Sequence, residues 1–107
     1  MTMVQAVKDL QEFKDIINGD TVAIFDFWAT WCGPCRNISP IFEKLASQDG
    51  GAKFYKVNID EAADVAEEVG IRALPTFIAF KSGQKIKEVV GANASDLAAM
   101  IESSVAA

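Results

Sequence analysis

The 107-residue sequence contains no histidine, two cysteines, three prolines and one tyrosine, and it has fewer basic than acidic residues. Without histidine and with only two thiols, the chain alone lacks the residue types that usually complete a four-ligand zinc site. The acidic excess gives a formal net charge of −5, which repels nucleic-acid phosphates and anionic lipid headgroups. We therefore expect no bound metal and no partnership with nucleic acid or a membrane.

Long apolar runs are also missing, so the sequence predicts no membrane-spanning helix. Residues 1–8 contain no basic stretch followed by a long apolar one, and we therefore expect no export signal and a cytoplasmic location. Half of the residues are hydrophobic and 23% are charged, which is typical of a folded domain. The length predicts a single domain over residues 1–107, and we expect a monomer.

Apolar spacing along the chain predicts strands and helices in alternation. Strands are predicted from continuous or alternating apolar residues at 4–7, 22–28, 53–59, 76–80 and 85–90. Helices are predicted at 9–18, from 34 to about 50, at 62–69, and from a cap at Asn93 or Ser95 to the C-terminus. The order β-α-β-α-β-α-β-β-α indicates an α/β fold with a mixed sheet and helices on both faces.

The two cysteines, Cys32 and Cys35, stand at a predicted junction between a strand and a helix. By spacing alone the pair is compatible with a structural staple, half of a zinc site, a haem attachment or a redox centre. A staple is a poor explanation because so short a loop removes little entropy from the unfolded chain. No second cysteine pair exists and Arg36, not histidine, follows Cys35, so the context favours a redox pair.

The position of the pair assigns a role to each thiol. Cys32 precedes the helix, where unpaired backbone N–H groups favour a thiolate, and the thiolate is the nucleophile in disulfide exchange. Cys35 lies one turn later, where it can resolve a mixed disulfide. Gly33 and Pro34 keep the bridge short and leave no bulky side chain over the sulfur.

Asp26 interrupts the apolar run of the second predicted strand. It has two interpretations: a buried polar group satisfied by a hydrogen bond, or a carboxyl group whose pKa is raised by burial. Lys56 is either an electrostatic neighbour of Asp26 or a solvated lysine on a strand. The acidic residues between Asp60 and Glu68 are interpreted as a solvated helix face, with Asp60 as a candidate N-cap.

Residues 27–35, Phe-Trp-Ala-Thr-Trp-Cys-Gly-Pro-Cys, and residues 73–77, Ala-Leu-Pro-Thr-Phe, resemble the thioredoxin family. The resemblance covers essentially the whole chain, and further matching positions are Asp26, Pro40, Lys56, Asp60 and Gly91. It implies the thioredoxin fold, a five-stranded mixed sheet flanked by four helices, and protein disulfide reductase activity. It also implies proton exchange between Asp26 and Cys35, and a cis Leu74–Pro75 bond facing the sulfurs. Sequence physics alone favours an ordinary trans proline at Pro75.

The resemblance also implies a surface on which partner proteins dock. Its expected members are Trp31, Gly33, Pro34, Ile59, Ala73, Leu74, Pro75, Val90, Gly91 and Ala92. For Ile59 and Val90 the alternative is simple core filling, and Trp28 is interpreted as packing in the core or near the site.

By the same resemblance the chain binds no cofactor and receives electrons from NADPH through a separate flavoprotein, thioredoxin reductase. Expected clients are ribonucleotide reductase, peroxiredoxins and methionine sulfoxide reductases. Two alternatives remain on this fold: an isomerase or oxidase module, and a module that binds partners in one redox state without turnover. The Gly33-Pro34 pair and the missing secretory signal argue against the first of these.

Overall fold

A computed structural model describes residues 3–106, and five strands and four helices follow one another in the predicted order. The strands are β1 (Val4–Ala6), β2 (Val22–Trp28), β3 (Ala52–Asn58), β4 (Thr76–Lys81) and β5 (Gln84–Val90). The helices are α1 (Leu10–Ile17), α2 (Gly33–Gln48), α3 (Ala63–Val69) and α4 (Ala94–Val105). Predicted and observed bounds differ by at most two residues, and of the two predicted caps of α4 the structure has Asn93.

The five strands form one sheet in the order β1-β3-β2-β4-β5. Strands β1, β3 and β2 are parallel, whereas β4 runs antiparallel to both of its neighbours. The expected mixed sheet is therefore confirmed. Strand β2 is central, which explains why its sequence is almost entirely apolar: a central strand of such a sheet is covered on both faces.

Two apolar cores lie on the two faces of the sheet. Phe42 of α2 and Leu97 of α4 belong to one core, together with Ile24 of β2. Phe13 of α1 and Val65 of α3 belong to the other core. Because side chains alternate along a strand, Asp26 shares the Ile24 face and points toward the layer formed by α2 and α4.

The topology brings several chain segments to one edge of the sheet. Parallel strands β2 and β3 both end at this edge, where the Ile59 N–H donates to the Trp28 carbonyl over 3.0 Å. Strand β4 begins there, because Thr76 lies opposite Phe27. Strand β5 ends there, with Val90 paired to Thr76. Segments that are distant in sequence therefore meet where β2 leads into α2.

Two predictions made from the sequence are wrong. Asp60 is not the N-cap of α3, which begins after Ala62 without a side-chain cap. The Oδ1 of Asn58 accepts the N–H of Asp60 over 2.9 Å, so Asn58 stabilises this turn instead. Helical spacing in the segment from 34 to about 50 places Ile41 on one apolar face with Ile38 and Phe42, but Ile41 is 39% exposed while the other two are buried.

Candidate active site

The two cysteines lie at the first turn of α2 and form a disulfide, with their Cα atoms 5.3 Å apart. Cys32 is the N-cap of the helix, and its sulfur accepts a hydrogen bond from the Cys35 N–H over 3.2 Å. Pro34 occupies the first turn, where its missing N–H costs nothing. The pair is therefore held where the N-terminal N–H groups of α2 stabilise negative charge on the Cys32 sulfur.

A groove of about 460 Å³ lies on the Cys32 side of the disulfide. It is lined by Trp31, Cys32, Gly33, Pro34, Ile59, Ile71, Arg72, Ala73 and Leu74. Trp31 is 65% exposed, whereas Cys32 is only 6% exposed. The indole ring is therefore open to a partner, while the neighbouring cysteine is largely covered. This groove brings together six of the ten residues that the resemblance assigned to the docking surface.

The other four residues lie beside the groove. The Leu74–Pro75 peptide is cis, as the resemblance implies, and Pro75 is buried. The Pro75 carbonyl accepts a hydrogen bond from the Gly91 N–H over 2.8 Å, which ties the end of β5 to the start of β4. Val90 is 59% exposed, so core filling is wrong for it, and Ala92 is exposed as well.

Asp26 is buried on the face of β2 that α2 covers, and it is in register with Lys56 on the neighbouring strand β3. Burial raises the pKa of Asp26 from 3.8 to about 7. The positive charge of Lys56 acts against this and lowers the pKa, and the negative charge of Glu43 raises it further. The Oδ1 atom of Asp26 has no hydrogen-bond partner within residues 3–106. The raised pKa agrees with the second interpretation of Asp26, and Lys56 is the positive charge that opposes the effect of burial.

A second groove, of about 320 Å³, opens on the Cys35 side of the disulfide. Trp28, Arg36 and Glu43 are among its lining residues. Trp28 packs against the small cluster formed by Ala29 and the two cysteines, which confirms its interpretation as packing near the site.

Two features near the site were not predicted from the sequence. The Trp31 Nε1 donates to Asp60 Oδ2 over 3.0 Å, so Asp60 is more than part of a solvated face. Arg72 lines the groove beside Cys32. The only signal for Arg72 in the sequence is its position next to the Ala73-Leu74-Pro75 segment. For the hydrogen bond there is none, because no sequence pattern links Trp31 to a residue 29 positions later.

Within residues 3–106, no group of three or more histidine, cysteine, aspartate or glutamate side chains is arranged to hold a metal ion. No helix in this part of the chain is long and apolar enough to cross a membrane. The reactive feature at the end of the central strand is a disulfide on a helix N-terminus, beside a groove open to a partner. Fold and site together define a thiol–disulfide oxidoreductase.

Comparisons with known proteins identify the family within that class. The thioredoxin family model matches residues 4–103. A thioredoxin of Malassezia sympodialis is 54% identical over 100 residues, covering 92% of this chain and 95% of that protein. A thioredoxin of Coprinus comatus is 51% identical over 106 residues, covering 97% of this chain and 100% of that protein. The chain belongs to the thioredoxin family, and it is a protein disulfide reductase.

Solved structures agree with this assignment. The crystal structure of Malassezia sympodialis thioredoxin, a member of a pan-allergen family, has a TM-score of 0.94 and 48% identity, covering 98% of this chain and 93% of that one. A second similar chain comes from a structural study of thiol resolution in yeast mitochondrial 1-Cys peroxiredoxin through the glutathione and thioredoxin systems. It has a TM-score of 0.90 and 33% identity, and the match covers 96% of this chain and 99% of that one. The expected fold is confirmed.

Proposed function

We propose that Cys32 is the attacking nucleophile and Cys35 the resolving thiol in the reduction of client protein disulfides. The observation that carries this assignment is the position of Cys32, which is both the N-cap of α2 and a lining residue of the larger groove. Cys35 is 2% exposed and lines the opposite groove, away from an arriving client. The sulfur that meets the client is therefore the one that the helix N-terminus activates.

The proposed cycle begins with the reduced protein. The Cys32 thiolate attacks one sulfur of the client disulfide, forming an intermolecular bond and releasing the other client sulfur as a thiolate. The Cys35 thiolate then attacks the Cys32 sulfur, which forms the Cys32–Cys35 disulfide and releases the second client thiolate. Two electrons pass from the protein to the client, and each released thiolate takes up a proton.

Asp26 has a proposed role in the second step. Cys35 must lose its proton before it attacks, and Asp26 lies buried on the face of β2 that points toward α2. With its pKa raised to about 7 by burial, its carboxyl group gains and loses protons near neutral pH. Its place on the α2 side of the sheet and its pKa near neutral pH support a role as a general acid–base partner of Cys35.

Reduction of the Cys32–Cys35 bond requires an electron donor. We assign this role to a thioredoxin reductase that takes electrons from NADPH, because the chain carries no motif for binding NADPH. Peroxiredoxins are a proposed client class, in keeping with the yeast mitochondrial study to which one similar structure belongs. Ribonucleotide reductase and methionine sulfoxide reductases are further proposed clients, and a cytoplasmic location and a role in electron transport are proposed for the chain.

The assignment of the two thiols is tested by Cys32→Ser and Cys35→Ser variants mixed with a disulfide-linked peptide dimer. Cys35→Ser attacks, releases one peptide thiol and remains as a mixed disulfide visible by mass spectrometry. Cys32→Ser forms no adduct at a comparable rate, because the buried Cys35 does not line the client groove. Full turnover by either variant, or faster trapping by Cys32→Ser, contradicts the proposal.

A further inference from the structure

Arg72 is the charged residue among those that line the groove beside Cys32. It lies in the turn between α3 and β4, immediately before the Ala73-Leu74 segment, and its side chain is exposed. Within residues 3–106 its guanidinium group makes no hydrogen bond and no ion pair. The five N–H donors of Arg72 therefore face solvent at the place where a client must lie.

Two other charged side chains near the site, those of Arg36 and Asp60, already have hydrogen-bond partners. The Arg36 guanidinium donates to the Thr30 carbonyl over 2.6 Å and lines the groove on the Cys35 side. The Asp60 carboxylate accepts the indole N–H of Trp31 and does not pair with Arg72. Arg72 thus differs from Arg36 in being both on the client side and without an internal partner.

We propose that Arg72 is a specificity-determining residue, which makes the chain prefer client disulfides that carry aspartate or glutamate next to the attacked cysteine. The inference rests on the proposed function, since it assumes that the client meets Cys32 in the larger groove. A client strand in this groove lies between Trp31 and the Ala73-Leu74 segment, with its neighbouring side chain within reach of Arg72. A guanidinium group suits a carboxylate because its planar N–H donors match both oxygens.

The net charge of −5 does not oppose this preference at contact distance. At physiological ionic strength the Debye length is about 8 Å, so the charges of more distant acidic residues are largely screened at the groove. An exposed ion pair contributes modestly, and we expect about a two- to fivefold preference for an acidic over a neutral neighbour. The preference should shrink as salt is added, because exposed pairs are screened.

The test measures second-order rate constants for oxidation of the reduced protein by two disulfide-linked peptides. The peptides differ only in carrying aspartate or asparagine next to the cysteine, and the released thiols are quantified after acid quench. The wild-type protein should prefer the aspartate peptide. Arg72→Gln should bring the ratio of the two rate constants close to one, Arg72→Glu should invert it, and Arg72→Lys should restore most of it because the charge returns.

The matched control is Lys53→Gln, which removes one exposed positive charge near the start of β3. The C-terminal end of β3, at Asn58, lies near the site. Lys53 lies near the other end of the strand, about 16 Å from Asn58. Lys53→Gln should leave the wild-type ratio intact. An equal ratio in wild type and Arg72→Gln, or an equal loss in Lys53→Gln, overturns the inference. Failure of the wild-type protein to reduce even the asparagine peptide would instead overturn the proposed function.

Discussion

Asp26 and Lys56 are directly opposite each other on parallel strands β2 and β3, yet their opposite charges do not cancel the effect of burial on Asp26. Asp26 is 2% exposed, whereas Lys56 is only half-buried and retains contact with water. Burial therefore has a larger effect on the pKa of Asp26 than the neighbouring ammonium group has. The pKa of the Asp26 carboxyl group consequently lies near neutral pH.

The raised pKa of Asp26 predicts how stability depends on pH. Well below its ordinary pKa of 3.8, Asp26 is protonated in both the folded and the unfolded chain. As pH rises toward 7 the unfolded chain releases this proton first, so the free energy of unfolding falls until the folded pKa of about 7 is passed. The difference between the two pKa values, 3.8 and about 7, corresponds to a fall of about 4 kcal/mol in the free energy of unfolding.

Asp26→Asn should therefore stabilise the oxidised protein at pH 8, by about 2–4 kcal/mol, since the buried amide still lacks some of its partners. The gain should shrink toward pH 4, and urea unfolding at several pH values measures it. The matched control is the exposed Asp20→Asn, for which we expect no gain of this size. A gain that is independent of pH would contradict the raised pKa.

Lys56 and Glu43 should tune the pKa of Asp26 in opposite directions. Lys56→Gln removes the charge that favours the carboxylate, so the pKa should rise above about 7. Glu43→Gln removes a like charge, so the pKa should fall. Carbon-13 NMR titration of the Asp26 carboxyl group measures both shifts directly. Shifts of the same sign in the two variants would refute this electrostatic account.

The proposed proton exchange predicts a kinetic change that stability alone would not produce. With a disulfide-linked peptide dimer, release of the first peptide thiol reports attack and release of the second reports resolution. Asp26→Asn should slow the second release by about tenfold or more at pH 7 and remove its rise with pH near 7. The first release should change much less. Identical profiles for the second release in both proteins would leave Asp26 with a structural role only.

The hydrogen bond from Trp31 to Asp60 predicts that Asp60 fixes the orientation of the Trp31 side chain, which lines the groove. Asp60→Ala should increase the mobility of the Trp31 indole N–H, seen as a lower heteronuclear NOE, and slow client attack by about two- to fivefold. The Trp28 indole N–H serves as an internal reference. Glu61→Ala removes a neighbouring exposed carboxylate and should change neither quantity, so equal effects of the two variants would exclude a specific role for the bond.

The elements of the fold were predictable from short-range patterns. The apolar run of β2 and the helical spacing in α2 placed the cysteine pair at a junction between strand and helix, and the structure confirms it. The N-cap of α4 shows the limit of such patterns, because Asn93 and Ser95 both carry suitable side chains. Backbone geometry selected Asn93, whose side chain accepts the Asp96 N–H over 2.9 Å.

The sequence by itself determined the redox pair, the alternation of strands and helices, and an aspartate in a buried strand, because each is expressed by residues close together in the chain. Only the tertiary structure decided that Arg72 reaches the Cys32 groove and that Asp60 holds Trp31. It also decided that Glu43 acts on Asp26. These contacts join elements that meet through sheet order and helix packing, and no local periodicity records which distant residues such packing brings together.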